Sequence, residues 1–157
     1  MKTADLIDLH ADKLTLVHLA FQAFGQRDDF CGQIETVACF EDNQLVKDIL
    51  STAGNGRVLV IDGSGSTRTA LVGDMIASLA QENGWAGIIV NGAIRDSVAI
   101  NQMDFAIQAL GKSPVKSRKD GVGEIGVSVS FGGVTLSPGQ WISADADGVL
   151  ISDQNLF

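Results

Sequence analysis

Cysteine and histidine are scarce in this sequence, which has two of each among 157 residues. Cys31 and Cys39 have seven residues between them, a spacing that matches neither a CxxC redox pair nor a zinc site. We interpret both as small reduced side chains. His10 and His18 lie far from any HExxH pattern, and no further histidine completes a histidine-rich metal site. Packing or surface roles are therefore expected for all four.

Long apolar runs and an excess of basic residues are also missing. No apolar stretch approaches the roughly 18 to 20 residues that span a bilayer, and the N-terminal residues lack the apolar block of a signal peptide. We therefore expect a cytoplasmic protein with no membrane partner. With 11 basic against 19 acidic residues, the formal charge of -8 argues against direct binding to nucleic acid.

The length and the hydrophobic content of 45% favour a single domain over residues 1–157. Apolar periodicity predicts helices over residues 3–9, capped by Thr3, from Asp42 or Asn43 to 52, and over 74–83. Runs of apolar and β-branched residues, bounded by glycine-containing turns, predict the strands. The fold class is therefore α/β, with a mixed sheet and a β-rich C-terminal half. The predicted strands are 33–40, 57–62, 86–90, 105–110, 127–131, 134–136, 141–143 and 149–152.

The strands at 57–62 and 86–90 are joined through the helix at 74–83. Such a crossover places the segments that follow the two strands at one edge of the sheet. That edge is where we expect a functional site.

The loop from Asp62 to Arg68 has the small residues that let backbone amides approach an anion. It begins a GxGxxG pattern with Gly63 and Gly65, but Arg68 stands where the third glycine belongs and no GK[ST] follows. Nucleotide binding is one interpretation of this loop. A flexible connection is the interpretation that we favour.

Gly73, Asp74, Met75 and Ile76 open a predicted helix whose free amides and dipole favour a bound carboxylate. Asp74 also has an ordinary explanation, since acids are favoured in a first helical turn. Arg95 and Asp96 follow the next strand and reach the same edge. An Arg-Asp pair on a loop is often a surface ion pair, but here it faces a candidate anion site.

Taken together, Gly73-Asp74 followed by Arg95-Asp96 resembles the signature of the class II 4-hydroxy-4-methyl-2-oxoglutarate aldolases. Further segments resemble the branch of the same family that regulates ribonuclease E activity. The resemblance extends from about Thr3 to Ser152. It implies a swivelling-type β/β/α fold, a homotrimer and a divalent metal site near the subunit boundary. The regulator-like segments are 32–37, 39–43, 57–63 and 131–134.

The resemblance also implies roles for the site residues. Asp96 would ligate Mg²⁺ or Mn²⁺, the amides of Gly73 to Ile76 would bind the carboxylate of a small 2-keto acid, and Arg95 would contact its keto oxygen. A metal and an arginine at the keto group stabilise the pyruvate enolate that forms when the carbon-carbon bond breaks. Oxaloacetate decarboxylation passes through the same enolate and is the expected side activity.

One position departs from the aldolase pattern. The aldolases carry a further acid three positions after the metal aspartate, where this chain has Ala99. Lys112, Lys116 and Lys119 lie in a polar segment, which makes a Schiff-base lysine less favoured and a solvated face the expected role. The alternative function is a non-catalytic regulator that binds and inhibits a ribonuclease E-type enzyme through its acidic surface.

Overall fold

The computed structural model describes all residues, 1–157, and contains twelve strands and four helices. The helices are α1 (Thr3–His10), α2 (Gln44–Leu50), α3 (Asp74–Glu82) and α4 (Ser97–Ile100). The first six strands are β1 (Thr15–Leu16), β2 (Gln22–Phe24), β3 (Phe30–Ala38), β4 (Val58–Asp62), β5 (Ala70–Val72) and β6 (Gly87–Ile94). The other six are β7 (Ile107–Lys112), β8 (Glu124–Ile125), β9 (Val129–Phe131), β10 (Val134–Leu136), β11 (Trp141–Ala144) and β12 (Val149–Ser152).

Ten of the strands form one mixed sheet. Its main path runs β1-β12-β11-β3-β4-β6-β7-β2, while β5 pairs with β6 and β8 pairs with β3. The central pairs, β3 with β4, β4 with β6 and β6 with β7, are parallel, and the outer strands add antiparallel pairs. The two remaining strands, β9 and β10, form a hairpin.

The core lies on both faces of the central strands. Leu59 and Ile61 of β4 belong to the apolar cluster that contains side chains of α2 and α3, whereas Val58 and Val60 belong to the cluster built with β9, β11 and β12. This division follows from the alternation of side chains along a strand. Because β4 and β6 are covered on both faces, their sequences are nearly continuous apolar runs.

The predicted α/β fold with a mixed sheet and a β-rich C-terminal half is confirmed. Several boundaries were wrong. The strand predicted at 33–40 is β3, which begins at Phe30 because residues 30–33 pair with β11 before the strand reaches β4. The strand predicted at 86–90 continues to Ile94, because β5 and β7 both pair with its end. The strand predicted at 105–110 is β7, Ile107–Lys112, and the one predicted at 127–131 begins at Val129.

Five short elements, β1, β2, β5, β8 and α4, were not predicted. Each has two to four residues, too few to show a periodic pattern. The predicted cap of α1 was also wrong, because Lys2 occupies the N-cap position. The Thr3 hydroxyl instead donates to Asp145 Oδ1 at 2.6 Å, which ties the start of the chain to the β11-β12 turn. Helix α2 ends at Leu50, before residue 52. No helix is long and apolar enough to cross a membrane.

Candidate active site

The candidate site lies where β5 and β6 end. These strands are parallel neighbours, with Val72 opposite Ile94, and the amide of Arg95 donates to the carbonyl of Val72 at 2.9 Å. Gly73 therefore follows β5 directly beside Arg95, which follows β6. From the sequence we expected these segments to meet at one edge through a simple crossover. The structure brings them together through β5, a strand that was not predicted.

The first turn of α3 has backbone amides without acceptors inside the helix. Its first intrahelical hydrogen bond runs from the amide of Ala77 to the carbonyl of Gly73, which leaves the amides of Asp74, Met75 and Ile76 without acceptors in the helix. The Asp74 amide lies 3.4 Å from Asp96 Oδ2, and the Met75 amide donates to Asp74 Oδ1 at 2.8 Å. Carboxylate oxygens of the protein itself therefore contact two of the three amides, which shows that this helix end can accept a carboxylate.

Asp96 turns back over the start of α3. Its backbone is left-handed, with φ 56° and ψ 40°, a conformation that aspartate tolerates better than most residues. Oδ2 lies 3.6 Å from Nε of Arg95. The side chains of Arg95 and Asp96 are 34% and 41% exposed, so both remain open to a ligand.

Gly73 makes this approach possible. A β-carbon at this position would lie 2.9 Å from Asp96 Oδ2 and 3.4 Å from both Cγ and Nε of Arg95. Its φ of -116° is one that any residue adopts. The absence of a side chain, and not unusual backbone geometry, is therefore what the site requires of this glycine.

Arg95, Asp96 and the α3 terminus open into a pocket of about 240 Å³. Four cationic side chains line it, which are Lys47, Lys116, Lys119 and Arg95. Asp74 and Asp96 are its only carboxylates. Lys116 and Lys119 are exposed, as expected of a solvated face, and the surface they belong to is the wall of this pocket. The other lining residues are Asn43, Ala70, Gly73, Met75, Ile76, Leu79 and Ser117.

The segment that carries Lys116 and Lys119, here called the lysine-bearing segment, is fixed by long-range hydrogen bonds. The Ala70 amide donates to the Val115 carbonyl at 2.8 Å, and the Ser117 hydroxyl donates to the Ala70 carbonyl at 2.7 Å. Further along, the Asn43 amide donates to the Arg118 carbonyl at 2.9 Å. Neither Lys47 nor this anchoring was anticipated, because a polar segment gives no sequence signal of its pairing partner.

Asp42 completes the anchor. Its buried carboxylate accepts hydrogen bonds from the amides of Gln44, Asp120, Gly121 and Val122, at 3.1 to 3.2 Å. Burial acts to raise the pKa of Asp42, but these four donors outweigh it and hold the pKa below its ordinary value. The start of α2 and the lysine-bearing segment are thereby held together.

The loop at 62–68 lies outside the pocket lining. Asp62 Oδ1 accepts from the Ser64 amide at 2.9 Å and from the Asn91 side chain at 3.0 Å, and Arg68 pairs with Glu41 at 2.6 Å. These internal contacts agree with the connecting role that we favoured over nucleotide binding.

The number of carboxylates in the pocket limits which kind of metal ion could bind there. No group of three or more His, Cys, Asp or Glu side chains is arranged to hold one. A zinc centre needs at least three protein ligands, usually with nitrogen or sulfur. Mg²⁺ keeps several waters and often binds through one or two carboxylates plus a substrate. Asp96, with Asp74 in the same pocket, fits the second kind of ion.

Comparison with known proteins gives one consistent family. Residues 3–151 match the family model RraA-like, described as Aldolase/RraA. A protein of Aromatoleum aromaticum is 50% identical over 156 residues, which cover 99% of this chain and 98% of the relative. Its name is "Putative 4-hydroxy-4-methyl-2-oxoglutarate aldolase".

Two solved structures are similar over nearly their whole length. One, from Geobacillus kaustophilus, is named S-adenosylmethionine: 2-dimethylmenaquinone methyltransferase; it is 49% identical with a TM-score of 0.98, covering 99% of this chain and 97% of that one. The other is the RNA-processing inhibitor RraA from Thermus thermophilis, 41% identical with a TM-score of 0.94, covering 98% and 93%. The three names describe different activities on one fold.

Proposed function

Because the chain belongs to the RraA-like family, described as Aldolase/RraA, we propose that it is a divalent-metal-dependent aldolase that cleaves 4-hydroxy-4-methyl-2-oxoglutarate to pyruvate. Oxaloacetate decarboxylation is the proposed side activity. The observation that carries the proposal is that Arg95 and Asp96 meet the amide-bearing start of α3 in one pocket. The substrate needs these groups, namely a carboxylate site, a donor to its keto oxygen and a metal ligand.

The Ile76 amide binds the carboxylate next to the keto group. The amides of Asp74 and Met75 join it once the side chains of Asp96 and Asp74, which they contact in the free protein, turn to the metal and the substrate. Arg95 donates to the keto oxygen. Removal of the proton from the C4 hydroxyl makes C4 the keto carbon of a departing pyruvate as the C3–C4 bond breaks. The electron pair of that bond forms the second C2–C3 bond, and negative charge moves onto the keto oxygen. Arg95 stabilises the negative charge that develops there. Protonation of C3 then gives pyruvate. Asp74, as a carboxylate of the pocket, is the side chain that we assign to proton transfer.

Asp96 would hold Mg²⁺ or Mn²⁺ together with water and substrate oxygens. The ion would polarise the keto group and so favour the enolate. In oxaloacetate the C3–C4 bond also breaks, carbon dioxide leaves and the same enolate remains. One site therefore supports both reactions.

The methyltransferase name of the Geobacillus kaustophilus structure fits this pocket less well. S-adenosylmethionine carries a positive sulfonium group and an adenine ring. The pocket lining has four cationic side chains, which repel a sulfonium, and no aromatic side chain on which adenine would stack. A small anionic substrate agrees better with these residues.

Consumption of oxaloacetate and cleavage of the aldol, each with and without Mg²⁺ or Mn²⁺, test the proposal. We expect metal-dependent turnover that falls at least 100-fold in Asp96→Ala and Arg95→Ala, since each removes a group that acts on the developing enolate. Arg27→Ala is the matched control, because Arg27 also pairs with an aspartate, Asp104, at 2.9 Å but lies outside the pocket. Absence of turnover in the native chain under all metal conditions would contradict the proposal.

A second candidate function is inhibition of a ribonuclease E-type enzyme. It is favoured by the 41% identity to the RNA-processing inhibitor of Thermus thermophilis and by Ala99, which removes an acid from the aldolase pattern. The net charge of -8 suits a basic RNA-binding segment as partner. Titration of the chain against a ribonuclease E-type enzyme at low salt tests this function, with RNA cleavage as the readout. No binding and no inhibition would exclude it.

We also propose the homotrimer that the family resemblance implies. Met75 and Val98 support association, because these apolar side chains beside the site are 83% and 75% exposed. Light scattering coupled to gel filtration measures the mass of the assembly. A monomer at micromolar concentration would contradict this proposal.

A further inference from the structure

We propose that a second pocket, where the two ends of the large sheet meet, binds a hard divalent cation of the size of Ca²⁺. This pocket, here called the seam pocket, is lined by residues 19–21, Gln108 and residues 145–149. None of these residues lines the candidate active site. The inference is therefore independent of the proposed function.

The seam pocket exists because the sheet curls. β1 and β2 are the two ends of its eight-strand path, and residues 17–21 join them directly. In a flat sheet, seven spacings of about 4.8 Å would separate these ends by about 34 Å. The six residue steps from β1 to β2 reach at most roughly 22 Å in an extended chain, so the ends must approach each other. Gln108 Nε2 donates to the carbonyl of Asp145 at 2.8 Å across this seam.

Gln108 presents an unsatisfied acceptor at the seam pocket. Since a carbonyl must face a donor, the contact with Asp145 assigns Nε2 and leaves Oε1 as the other end of the amide. Oε1 has no donor in the protein, although Gln108 is only 5% exposed. No fully enclosed side-chain oxygen lacks a partner, so Oε1 must be open to the pocket that Gln108 lines. A cation there would satisfy an oxygen that is otherwise costly to bury.

The charge of the seam pocket is negative, because two aspartates and no basic residue line it. Asp145 is buried, and its oxygens already accept from the amide and hydroxyl of Thr3 and from the amide of Asp147. Burial acts to raise the pKa of Asp145, but its hydrogen bonds prevail and hold that pKa below its ordinary value. Asp147 is exposed and belongs to none of the five ion pairs. Asp145 thus adds charge, and Asp147 is the carboxylate available as a ligand.

Backbone carbonyls add further oxygens. Those of Leu19, Ala20 and Ala146 accept no hydrogen bond in the protein. Ca²⁺ takes roughly six to eight oxygens from carboxylates, side-chain amides, backbone carbonyls and water, in flexible geometry. Mg²⁺ demands a near-ideal octahedron, and Zn²⁺ prefers nitrogen and sulfur. The volume of about 130 Å³ has room for about four water-sized groups at roughly 30 Å³ each, which suits an ion with part of its hydration shell.

A cation in the seam pocket would join the β11-β12 turn to β7 and to the segment between β1 and β2. No strand pairing closes this seam, because β1 and β2 do not pair with each other. The ion would therefore stabilise the curled sheet, and the thermal unfolding midpoint should rise with the Ca²⁺ concentration.

Calorimetric titration of the Asp96→Ala chain with CaCl₂ tests the inference, because this substitution removes the metal ligand proposed in the other pocket. With one free carboxylate, we expect a dissociation constant of about 10⁻⁴ to 10⁻³ M. Asp147→Asn on the same background should weaken binding at least 10-fold and remove the rise in the unfolding midpoint. Because Asp147 is exposed and its side chain makes no hydrogen bond or ion pair, this variant should fold normally. In nitrogen-15 NMR spectra, added Ca²⁺ should shift the side-chain amide of Gln108 and the backbone amide of Gly148.

Asp12→Asn is the matched control, because Asp12 is an exposed aspartate outside the seam pocket. It should leave the affinity for Ca²⁺ unchanged, and an equal loss in both variants would overturn the site in favour of diffuse attraction to an acidic surface. Absence of saturable binding below about 10 mM, well above the expected range, would also overturn it. So would binding that survives Asp147→Asn or that shifts neither Gln108 nor Gly148. Ca²⁺ binding at the seam in a chain without any turnover would retain this site and overturn only the proposed enzyme.

Discussion

Gly73 and Asp96 are so close that a β-carbon on the glycine would stand 2.9 Å from Oδ2 of the aspartate. The contact joins the end of β5 to the residue that caps α4. The proposed metal ligand therefore depends on a residue that has no side chain. Its neighbour Arg95 depends on the same space, since Cγ and Nε would each lie 3.4 Å from that β-carbon.

Gly73→Ala should abolish most activity while preserving the fold. The atoms that must move are the ends of two flexible side chains, and the backbone angles of Gly73 suit alanine, so we expect the free energy of unfolding to change by less than about 1 kcal/mol. Turnover of oxaloacetate should fall by about 10-fold or more, because Asp96 and Arg95 are displaced. Gly111→Ala is the control, since its β-carbon would meet only Thr67 at 3.8 Å. Native turnover in Gly73→Ala would show that the close approach is unnecessary.

Ala99→Glu should strengthen metal binding. Ala99 is exposed in α4 and follows Asp96 by three positions, so a carboxylate there would lie on the same side of the short helix as Asp96. An added outer acid commonly contributes about 10- to 100-fold in metal affinity. The dissociation constant for Mn²⁺, measured by electron paramagnetic resonance, should fall accordingly. Ala99→Gln, which has the shape without the charge, should not lower it, and an equal effect of both variants would contradict the role of charge.

The sequence predicted most of the central sheet and α3 because these elements are long and strongly patterned. β4 is a run of apolar residues, and α3 has an apolar face with glycine close to each end. Gly73, Asp74, Arg95 and Asp96 were singled out by their positions at a helix start and after a buried strand and then by the family resemblance, and the structure brings them together. Their chemical roles stay predictions.

The convergence of Lys47, Lys116 and Lys119 on one pocket could not be predicted from the sequence. Lys47 and Lys116 are 69 positions apart, and their convergence depends on the bridge between Ala70 and Lys116 and on the bridge between Asp42 and Arg118. Isolated bridges of this kind have no hydrophobic alternation that would reveal their register. β5 was missed for a related reason, since its three residues are too few to display a period.

The two cysteines should differ sharply in reactivity. Burial, followed by the negative charges of Asp42 and Asp62, raises the pKa of the Cys39 thiol to about 12, so almost no thiolate exists at pH 8. Cys31 is exposed. A disulfide reagent such as dithionitrobenzoate should therefore label one thiol in the native protein and both in urea. Cys31→Ser should remove the native reaction, and rapid labelling of that variant would contradict the burial of Cys39.

Asp42→Asn should destabilise the protein, because the buried carboxylate, 2% exposed, accepts from four backbone amides. An asparagine keeps one oxygen but turns an NH₂ group toward donors. The expected loss is about 2–3 kcal/mol in urea unfolding at pH 7. Asp120→Asn, in the same segment but exposed, is the control and should change stability by less than about 0.5 kcal/mol. A loss confined to ligand affinity would indicate that the four hydrogen bonds to Asp42 position the lysines without stabilising the fold.

The difference in unfolding free energy between the native chain and Asp42→Asn should depend on pH, because the pKa of Asp42 is lowered in the folded protein. Burial opposes the charge, but the four amide donors prevail, so the folded pKa lies below the unfolded value of about 3.9. The unfolded chain therefore takes up this proton first as the pH falls. The stabilisation is complete above about pH 5 and is lost as the pH falls through the folded pKa. Native chain and Asp42→Asn should thus differ most near pH 7 and converge as the pH falls below the unfolded pKa of about 3.9 and on through the folded pKa. A difference in unfolding free energy that stays constant over this range would show that hydrogen-bond geometry, and not the charge of Asp42, holds the lysine-bearing segment in place.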